Sequence, residues 1–322
     1  MGNILDDVEI ARLLGGAPRL SLDQIINHPR LPQAHRTYLD RFLDVYGGDP
    51  FLVRLLIESG RFLVYHLIVV LEAAADPERR ETWPTVGLLK EKMAIFGLAS
   101  GRHIDHLIGR LRAVGLIDLR PAERDRRVRI LSAGEKLRAH DRDWLFAHYT
   151  PLAMLYPHHD YSPIMRRDPE FQKLHRSACI PFIPLGAKML ALVPETLLFF
   201  NHAAGVMVIA ALLRAALDAP DHPHAAVPYA DIGDRFSVSR THVRQMLVAA
   251  EEAGLVKLHA RGGRQVEILP RLWASNMKGM AGGMYVHDIV YVAALRAAKE
   301  QTEAGFGAAH EERVGLVANR HA

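Results

Sequence analysis

Two segments of the chain carry basic and hydrogen-bonding side chains at matching positions. Residues 100–117 read SGRHIDHLIGRLRAVGLI, and residues 239–256 read SRTHVRQMLVAAEEAGLV. They align without a gap at a constant offset of 139 residues (242 − 103), which pairs His103 with His242. Arginine can hold guanine through two hydrogen bonds, and glutamine can do the same with adenine. Side chains of these types on two helices indicate contact with duplex DNA at two places.

The candidate DNA-contacting residues lie on the outer face of each repeated helix and in the charged or glycine-rich segment that follows it. In the first copy they are Ser100, Arg102, His103, His106, Arg124, Arg126 and Arg127. In the second copy they are Ser239, Arg240, Thr241, His242, Arg244, Gln245, Arg261, Gly262, Gly263 and Arg264. Residues 100–129 also hold eight arginines against four acidic residues, a balance that favours salt-sensitive binding to phosphates.

The elements that must position these side chains occur in the same order twice. Helices are predicted at 61–75, 84–95 and 100–114, then strands at 116–120 and 127–131. The second half repeats this order, with helices at 197–217, 228–236 and 239–253 and strands at 255–259 and 265–269. Both copies of the third helix carry apolar residues at i, i+3 and i+4, which predicts one buried stripe: Ile104, Leu107 and Ile108 in the first copy, and Val243, Met246, Leu247 and Ala250 in the second.

This order is that of the winged helix, and its repetition predicts the fold class. We expect a mainly α protein with two winged helix-turn-helix domains in tandem and additional helices. The predicted division is 1–156 for the first domain, 157–168 for a proline-containing linker, 169–302 for the second domain and 303–322 for a flexible tail. A helix is predicted over 271–300, interrupted at Gly282-Gly283, in which Met277, Met280 and Met284 pack in the core or line a pocket or an interface.

Two family resemblances support this interpretation. FSVSRTHVRQML resembles the VSRxxVR signature of GntR-type winged-helix repressors, which implies DNA contact by Ser239, Arg240, Thr241 and Arg244 and a wing tip at Gly262 and Gly263. In the first copy, the DRR sequence before a strand resembles the wing of the MarR family, which implies that Asp125 and Arg127 lie in a wing. The first helix has Gly101 and Asp105 where basic or hydroxyl residues are common, so we expect the second copy to dominate base recognition.

Composition sets the remaining expectations. The chain has 322 residues, 49% of them hydrophobic and 24% charged, with a formal net charge of +4. Its single cysteine, Cys179, excludes an internal disulfide. The N-terminal sequence lacks a signal-peptide profile, and the longest apolar run, 203–213, is too short to span a bilayer. We therefore expect a cytoplasmic protein without membrane association.

Catalytic and metal-binding patterns are weak in this chain. Eighteen histidines include His158-His159 and the pair His222 and His224, but zinc sites usually combine histidine with cysteine at set spacings. The chain also has no phosphate-cradling glycine loop and no nucleophile elbow. We expect no enzymatic activity, no cofactor and no metal.

The sequence therefore favours sequence-specific binding of double-stranded DNA by a transcriptional regulator. Three alternatives stay open: a tandem winged-helix protein of the replication-initiator kind, an interaction scaffold that has lost DNA binding, and an enzyme with an unrecognised site. Homodimerisation through 1–60 and 271–300 is also open. The sequence identifies neither the operator, nor the sign of regulation, nor a small-molecule effector.

Overall fold

The protein is mainly helical in the computed structural model, which describes residues 6–47, 55, 61–219 and 223–318. The N-terminal region contains helices α1 (Asp7–Leu13), α2 (Leu22–Ile26) and α3 (Leu31–Gly47). Helix α2 begins with a capping box, in which Ser21 and Gln24 each hydrogen-bond to the other's backbone N–H. Helix α3 has a buried apolar face. The predictions for residues 1–5, 48–54 and 56–60 lie outside the described residues.

The first repeated unit follows in the predicted order. It consists of α4 (Arg61–Ala73), α5 (Val86–Ala94), α6 (Gly101–Ala113) and the antiparallel strands β1 (Ile117–Pro121) and β2 (Arg129–Ala133). The three helices pack on one another. The N–H of Leu131 in β2 also donates to the carbonyl of Pro84, which ties the hairpin to the segment before α5.

A helical region joins the two repeated units. It contains α7 (Glu135–Leu155), α8 (Ser162–Met165), α9 (Pro169–Ala178), α10 (Ile183–Ala191) and α11 (Pro194–Phe200). The segment suggested as a linker, 157–168, includes α8 and buries Tyr161 and Ile164 to 2% and 3% exposure. It is therefore packed against the rest of the protein, and the domain division itself stays a prediction.

The second repeated unit consists of α12 (Gly205–Asp218), strand β3 (His224–Ala225), α13 (Tyr229–Phe236), α14 (Arg240–Glu252), β4 (Val256–Ala260) and β5 (Gln265–Ile268). The strands form an antiparallel sheet in the order β3-β5-β4. The sequence-based prediction did not include β3, because its two residues lie in a segment rich in proline and histidine. The pairing of Ala225 with Val266 recruits them into the sheet.

The predicted helix at 197–217 is wrong in its extent. The structure has two helices, α11 and α12, separated at residues 201–204. Ala204 adopts the left-handed conformation with φ of 54°. A Cβ atom at the next residue, Gly205, would lie 1.9 Å from the carbonyl oxygen of Phe199, so the chain can approach itself this closely only at a glycine.

The last helix, α15 (Pro270–Ala318), differs from the prediction in the opposite direction. It continues through Gly282 and Gly283 without the expected interruption and extends through most of the segment predicted to be a tail. Residues 319–322 lie outside the described residues. In α15, the buried Met280 and Met284 belong to a core cluster that also contains residues of the N-terminal helices. Met277 is partly buried and packs against this cluster.

A second core cluster contains buried residues of both repeated units, including Leu107 and Met246. Among the described residues, no single helix has both the length and the apolar character needed to cross a membrane. The segment 180–191 and α11, bent by 100°, meet that test together by length and composition only.

Candidate nucleic-acid interface

The repeated helices α6 and α14 end in the same backbone geometry. Gly115 and Gly254 follow them with φ of 70° and 69°. The N–H of Leu116 donates to the carbonyl of Leu111 at 3.0 Å, and the N–H of Leu255 donates to that of Ala250 at 2.9 Å. All of these equivalent positions differ by the same offset of 139 (254 − 115). The glycine supplies the left-handed turn that ends each helix and starts the following strand.

The two helices also begin alike. Ser100 Oγ accepts a hydrogen bond from the backbone N–H of His103 at 3.2 Å, and Ser239 Oγ accepts one from that of His242 at 3.0 Å. Each serine therefore caps the N-terminus of its own helix. Both serines are exposed, but part of the hydrogen-bonding capacity of each side chain is used to hold its own helix.

The apolar stripe of each helix is buried as predicted. In α6, Ile104, Leu107, Ile108 and Leu111 have exposures of 5% or less, and in α14, Val243, Met246, Leu247 and Ala250 have exposures of 1% or less. The opposite faces are therefore turned to solvent. The exposed candidate side chains are Arg102 and His106 on α6 and Arg240, Thr241, Arg244 and Gln245 on α14.

His103 and His242, which occupy equivalent positions in the two repeats, are half-buried, unlike the exposed candidates. Nε2 of His242 lies 3.0 Å from the carbonyl oxygen of Ala203, in the break between α11 and α12. The ring also approaches His202, with 5.9 Å between the ring centroids, and burial together with His242 lowers the pKa of His202. His242 thus fixes α14 to a neighbouring loop, a role that the sequence-based prediction missed.

The charge on the exposed face distinguishes the two helices. Asp105 on α6 forms an ion pair of 2.7 Å with Lys90 on α5. The equivalent position on α14 is Arg244 (105 + 139), which is exposed. The ion pair neutralises the acidic residue, but it also engages a lysine beside α6. Over the first seven residues of each helix, α14 carries Arg240 and Arg244 and no acidic residue, whereas α6 carries Arg102 and Asp105.

The first hairpin carries its arginines in the tip between β1 and β2. Arg124 pairs with Glu78, and Asp125 lies 3.4 Å from the guanidinium of Arg80, so two ion pairs tie the tip to the segment before α5. The carboxylate of Asp125 also accepts a hydrogen bond from the backbone N–H of Arg127 at 3.1 Å. Arg126 and Arg127 extend from this ordered tip as exposed side chains.

The second hairpin has a shorter tip that folds back on its own unit. Gly262 and Gly263 have φ of 74° and 80°. The Gly263 carbonyl accepts a hydrogen bond from the N–H of Val227 at 2.8 Å, and a Cβ at Gly263 would lie 2.2 Å from the carbonyl oxygen of Val227. Gly263 is therefore a buried packing position, whereas Arg261 and Arg264 beside it are exposed.

One cluster with metal-ligand chemistry lies on the sheet of the second unit. His224, His259 and Glu267, one from each strand, place their ligand atoms within 4.8 Å of one another. His259 Nε2 lies 2.6 Å from a Glu267 carboxylate oxygen, and the hydrogen bond from His259 lowers the pKa of Glu267. Lys257 stands directly opposite Glu267 in the register, which adds a positive charge beside the cluster. The cluster is not evident from the sequence, because His224 joins it only through the pairing of β3 with β5.

The comparisons with known proteins identify no relative. The chain matches no family model, and neither the curated proteins nor the solved structures searched match it. The geometry of α6, α14 and their hairpins is therefore the basis for assigning a function.

Proposed function

We propose that this protein binds double-stranded DNA sequence-specifically as a transcriptional regulator, with two winged helix-turn-helix units in tandem. The observation that carries the proposal is the repetition of one arrangement: a helix with a buried apolar stripe and an exposed arginine in its first turn, capped by serine, ended by a left-handed glycine and followed by a hairpin. A helix that enters the major groove needs an apolar rear face for docking and hydrogen-bond donors in front.

The two units take different roles in this proposal. Helix α14 reads bases, because Arg240, Arg244 and Gln245 are exposed side chains that can bond base edges. Helix α6 and its hairpin contribute affinity, because Arg102, Arg126 and Arg127 are exposed while Asp105 is neutralised by Lys90. Contacts from hairpin arginines fall on phosphates or in the minor groove and stabilise binding to all sequences.

A second candidate function is an interaction scaffold without DNA binding. The observation that favours it is that charged side chains around the first unit are engaged in ion pairs, Lys90 with Asp105 and Arg124 with Glu78.

We place the protein in the cytoplasm in either case. Homodimerisation through the N-terminal helices and α15 would double the number of DNA-reading helices.

Binding to duplex DNA at graded salt tests the proposal. Genomic fragments bound by the protein are selected and sequenced, and the affinity for the enriched fragment is measured by fluorescence anisotropy. If the two units contact roughly 6–10 phosphates, the affinity falls about 10³-fold or more between about 50 and 200 mM salt. The double variant Arg240→Ala/Arg244→Ala should abolish the preference for the enriched sequence, while Lys299→Ala, an exposed charge on α15, should leave it unchanged.

The scaffold alternative gives the opposite result in the same experiment. It expects no enrichment of any sequence and no binding even at low salt. Such a result, obtained with folded protein, would exclude the DNA-binding proposal.

A further inference from the structure

A cavity of about 320 Å³ lies where the two repeated units meet the other helices. Phe62 of α4 and Phe96 of the turn before α6 line it from the first unit, and Ile209 of α12 lines it from the second. Trp144 of α7 and Met284 of α15 contribute further walls. Its volume is at the lower end of the range for ligand pockets, about 300–1,000 Å³.

The charged group in the lining is already neutralised. Arg176 lines the cavity, but its Nε and one terminal nitrogen bond the two carboxylate oxygens of Asp141 at 2.9 and 2.5 Å. Gln172 adds a hydrogen bond to the same carboxylate at 2.7 Å. Asp141 is fully buried, so the pair must stay together to offset the cost of burying either charge. The described residues of the lining therefore offer no free cation to a carboxylate or phosphate ligand.

The histidines of the lining are neutral. Burial lowers the pKa of His66 to about 4 and that of His148 to about 3, and it also lowers that of His287. Nδ1 of His66 lies 3.1 Å from an Asp141 carboxylate oxygen and 3.4 Å from a terminal nitrogen of Arg176. We assign the proton to Nδ1, because the closer partner is an ionised carboxylate that can only accept, and Nε2 is then the acceptor nitrogen. That Nε2 is buried and has no hydrogen-bond partner among the residues that the structure describes. His66, which lines the cavity, thus holds an acceptor nitrogen without a partner among the described residues, in an apolar and aromatic surround.

We propose that this cavity binds an uncharged, ring-containing, mainly apolar small molecule that carries one hydrogen-bond donor. The aromatic and methionine side chains supply dispersion contacts to flat rings, and methionine adapts its shape to them. The Arg176–Asp141 pair carries no net charge, so the cavity discriminates against ionised ligands, which would lose their hydration without gaining a counter-ion.

The position of the cavity connects it to both repeated helices. Phe96 lies in the turn that leads into α6. Phe200 is the last residue of α11, directly before the break whose Ala203 contacts His242 on α14. This part of the inference rests on the proposed function: a ligand that moves either aromatic ring changes how α6 or α14 is held, and so changes the affinity for DNA. The coupling must be reciprocal, so DNA changes the affinity for the ligand by the same factor.

Two fluorescent probes test the site without DNA. N-phenyl-1-naphthylamine is neutral, has three rings and carries one N–H donor, whereas 8-anilino-1-naphthalenesulfonate adds a permanent negative charge to the same skeleton. We expect saturable binding of the neutral probe with one site per chain, and binding of the sulfonate that is weaker by about tenfold or more. No saturable binding of the neutral probe, or equal affinity for both probes, would overturn the proposal.

A cavity-filling variant locates the probe. Gly283 lines the cavity within α15, and a Cβ there meets no atom within 4 Å, so Gly283→Leu adds a side chain into open space. Leucine also favours a helix more than glycine does, so the variant should fold, as circular dichroism will show. Gly109→Leu, at an exposed helical glycine outside the lining, is the matched control. We expect Gly283→Leu to weaken binding of the neutral probe by about tenfold or more and the control to leave it unchanged. Unchanged binding in folded Gly283→Leu would show that the probe binds elsewhere.

The DNA coupling has a separate measurement. Affinity for the enriched DNA fragment is compared with and without saturating N-phenyl-1-naphthylamine, and a change is expected in the wild type but not in Gly283→Leu. The same DNA affinity in both conditions would overturn the coupling while the ligand site stands. A wild type that binds no DNA would overturn the proposed function and the coupling together, and the fluorescence titrations would still decide the ligand site.

Discussion

His242 Nε2 lies 3.0 Å from the carbonyl oxygen of Ala203, and this contact joins α14 to the break between α11 and α12. The break exists because Ala204 turns into the left-handed region and Gly205 passes close to Phe199. A residue that the sequence places among the DNA-contacting side chains is thus part of the support of its own helix.

His242→Ala should therefore act on stability as well as on DNA. Loss of the hydrogen bond should reduce the free energy of unfolding by about 1 kcal/mol, measured by urea denaturation. Thr241→Ala, at the exposed neighbouring position, should change it by less than about 0.5 kcal/mol. Equal stability of the two variants would show that the contact with Ala203 contributes nothing.

Arg244→Ala should affect base recognition more than Arg102→Ala does. Arg244 is exposed on α14, and its loss should cost about 1–3 kcal/mol on the preferred site and relax selectivity at one or two base pairs. Arg102→Ala should weaken binding to all sequences alike. Competition assays with single-base variants of the site measure both effects. A larger change in selectivity for Arg102→Ala would reverse the roles of the two helices.

Leu247→Asp should unfold the second unit. Leu247 has 1% exposure in the stripe that docks α14, and a carboxylate there has no partner to offset the loss of water. The cost should be several kcal/mol, about 3 or more, visible as a large drop in the melting temperature. Gln245→Asp on the exposed face of the same helix is the control and should melt close to the wild type. Comparable melting of both variants would contradict the helix phase.

The two glycines of the second hairpin should respond differently to alanine. Both have positive φ, so each substitution carries a backbone cost of about 1–2 kcal/mol. Gly263→Ala should cost more than this, because its methyl group would overlap the carbonyl of Val227, whereas a Cβ at Gly262 meets no atom within 4 Å. Chemical denaturation of the two variants measures the difference, and equal losses would contradict the packing of the tip.

The stability of the protein should fall as the pH decreases from about 6.5 to 4. Burial lowers the pKa of His66 to about 4 and that of His148 and His175 to about 3, so these rings stay neutral in the folded protein while the unfolded chain takes up protons below about 6.5. Each such histidine should reduce the free energy of unfolding by about 1.4 kcal/mol per pH unit in this range.

Urea denaturation at a series of pH values measures this slope. Asp141 does not contribute to the slope in that window. Burial alone would raise its pKa, but Arg176 and the hydrogen bond from His66 hold the pKa well below the usual range. Its contribution to the free energy of unfolding is therefore lost only below about pH 4. His148→Gln removes one of these histidines and should reduce the slope by about 1.4 kcal/mol per pH unit. A flat profile, or an unchanged slope in the variant, would contradict the neutral buried histidines.

The sequence by itself determined the helical character and the orientation of the repeated helices. The apolar residues Ile104 and Leu107 in α6, and Val243 and Leu247 in α14, recur at the spacing of one helix face, and that spacing alone predicts which side is buried. The serine caps and the glycines that end these helices are likewise local signals, since each acts within a few residues of its own position.

The tertiary structure decided what depends on distant partners. Strand β3 exists because Ala225 meets Val266, and His242 turns inward because Ala203 lies beside it. Helix α15 continues through Gly282 and Gly283 because packing of Met280 and Met284 into the core outweighs the weak helix preference of glycine. The cavity combines residues of α4, α7, α12 and α15, which no spacing along the chain brings together. The spacing of apolar residues along the chain predicts which face of a helix is buried, but only the packed structure shows which residues that face contacts.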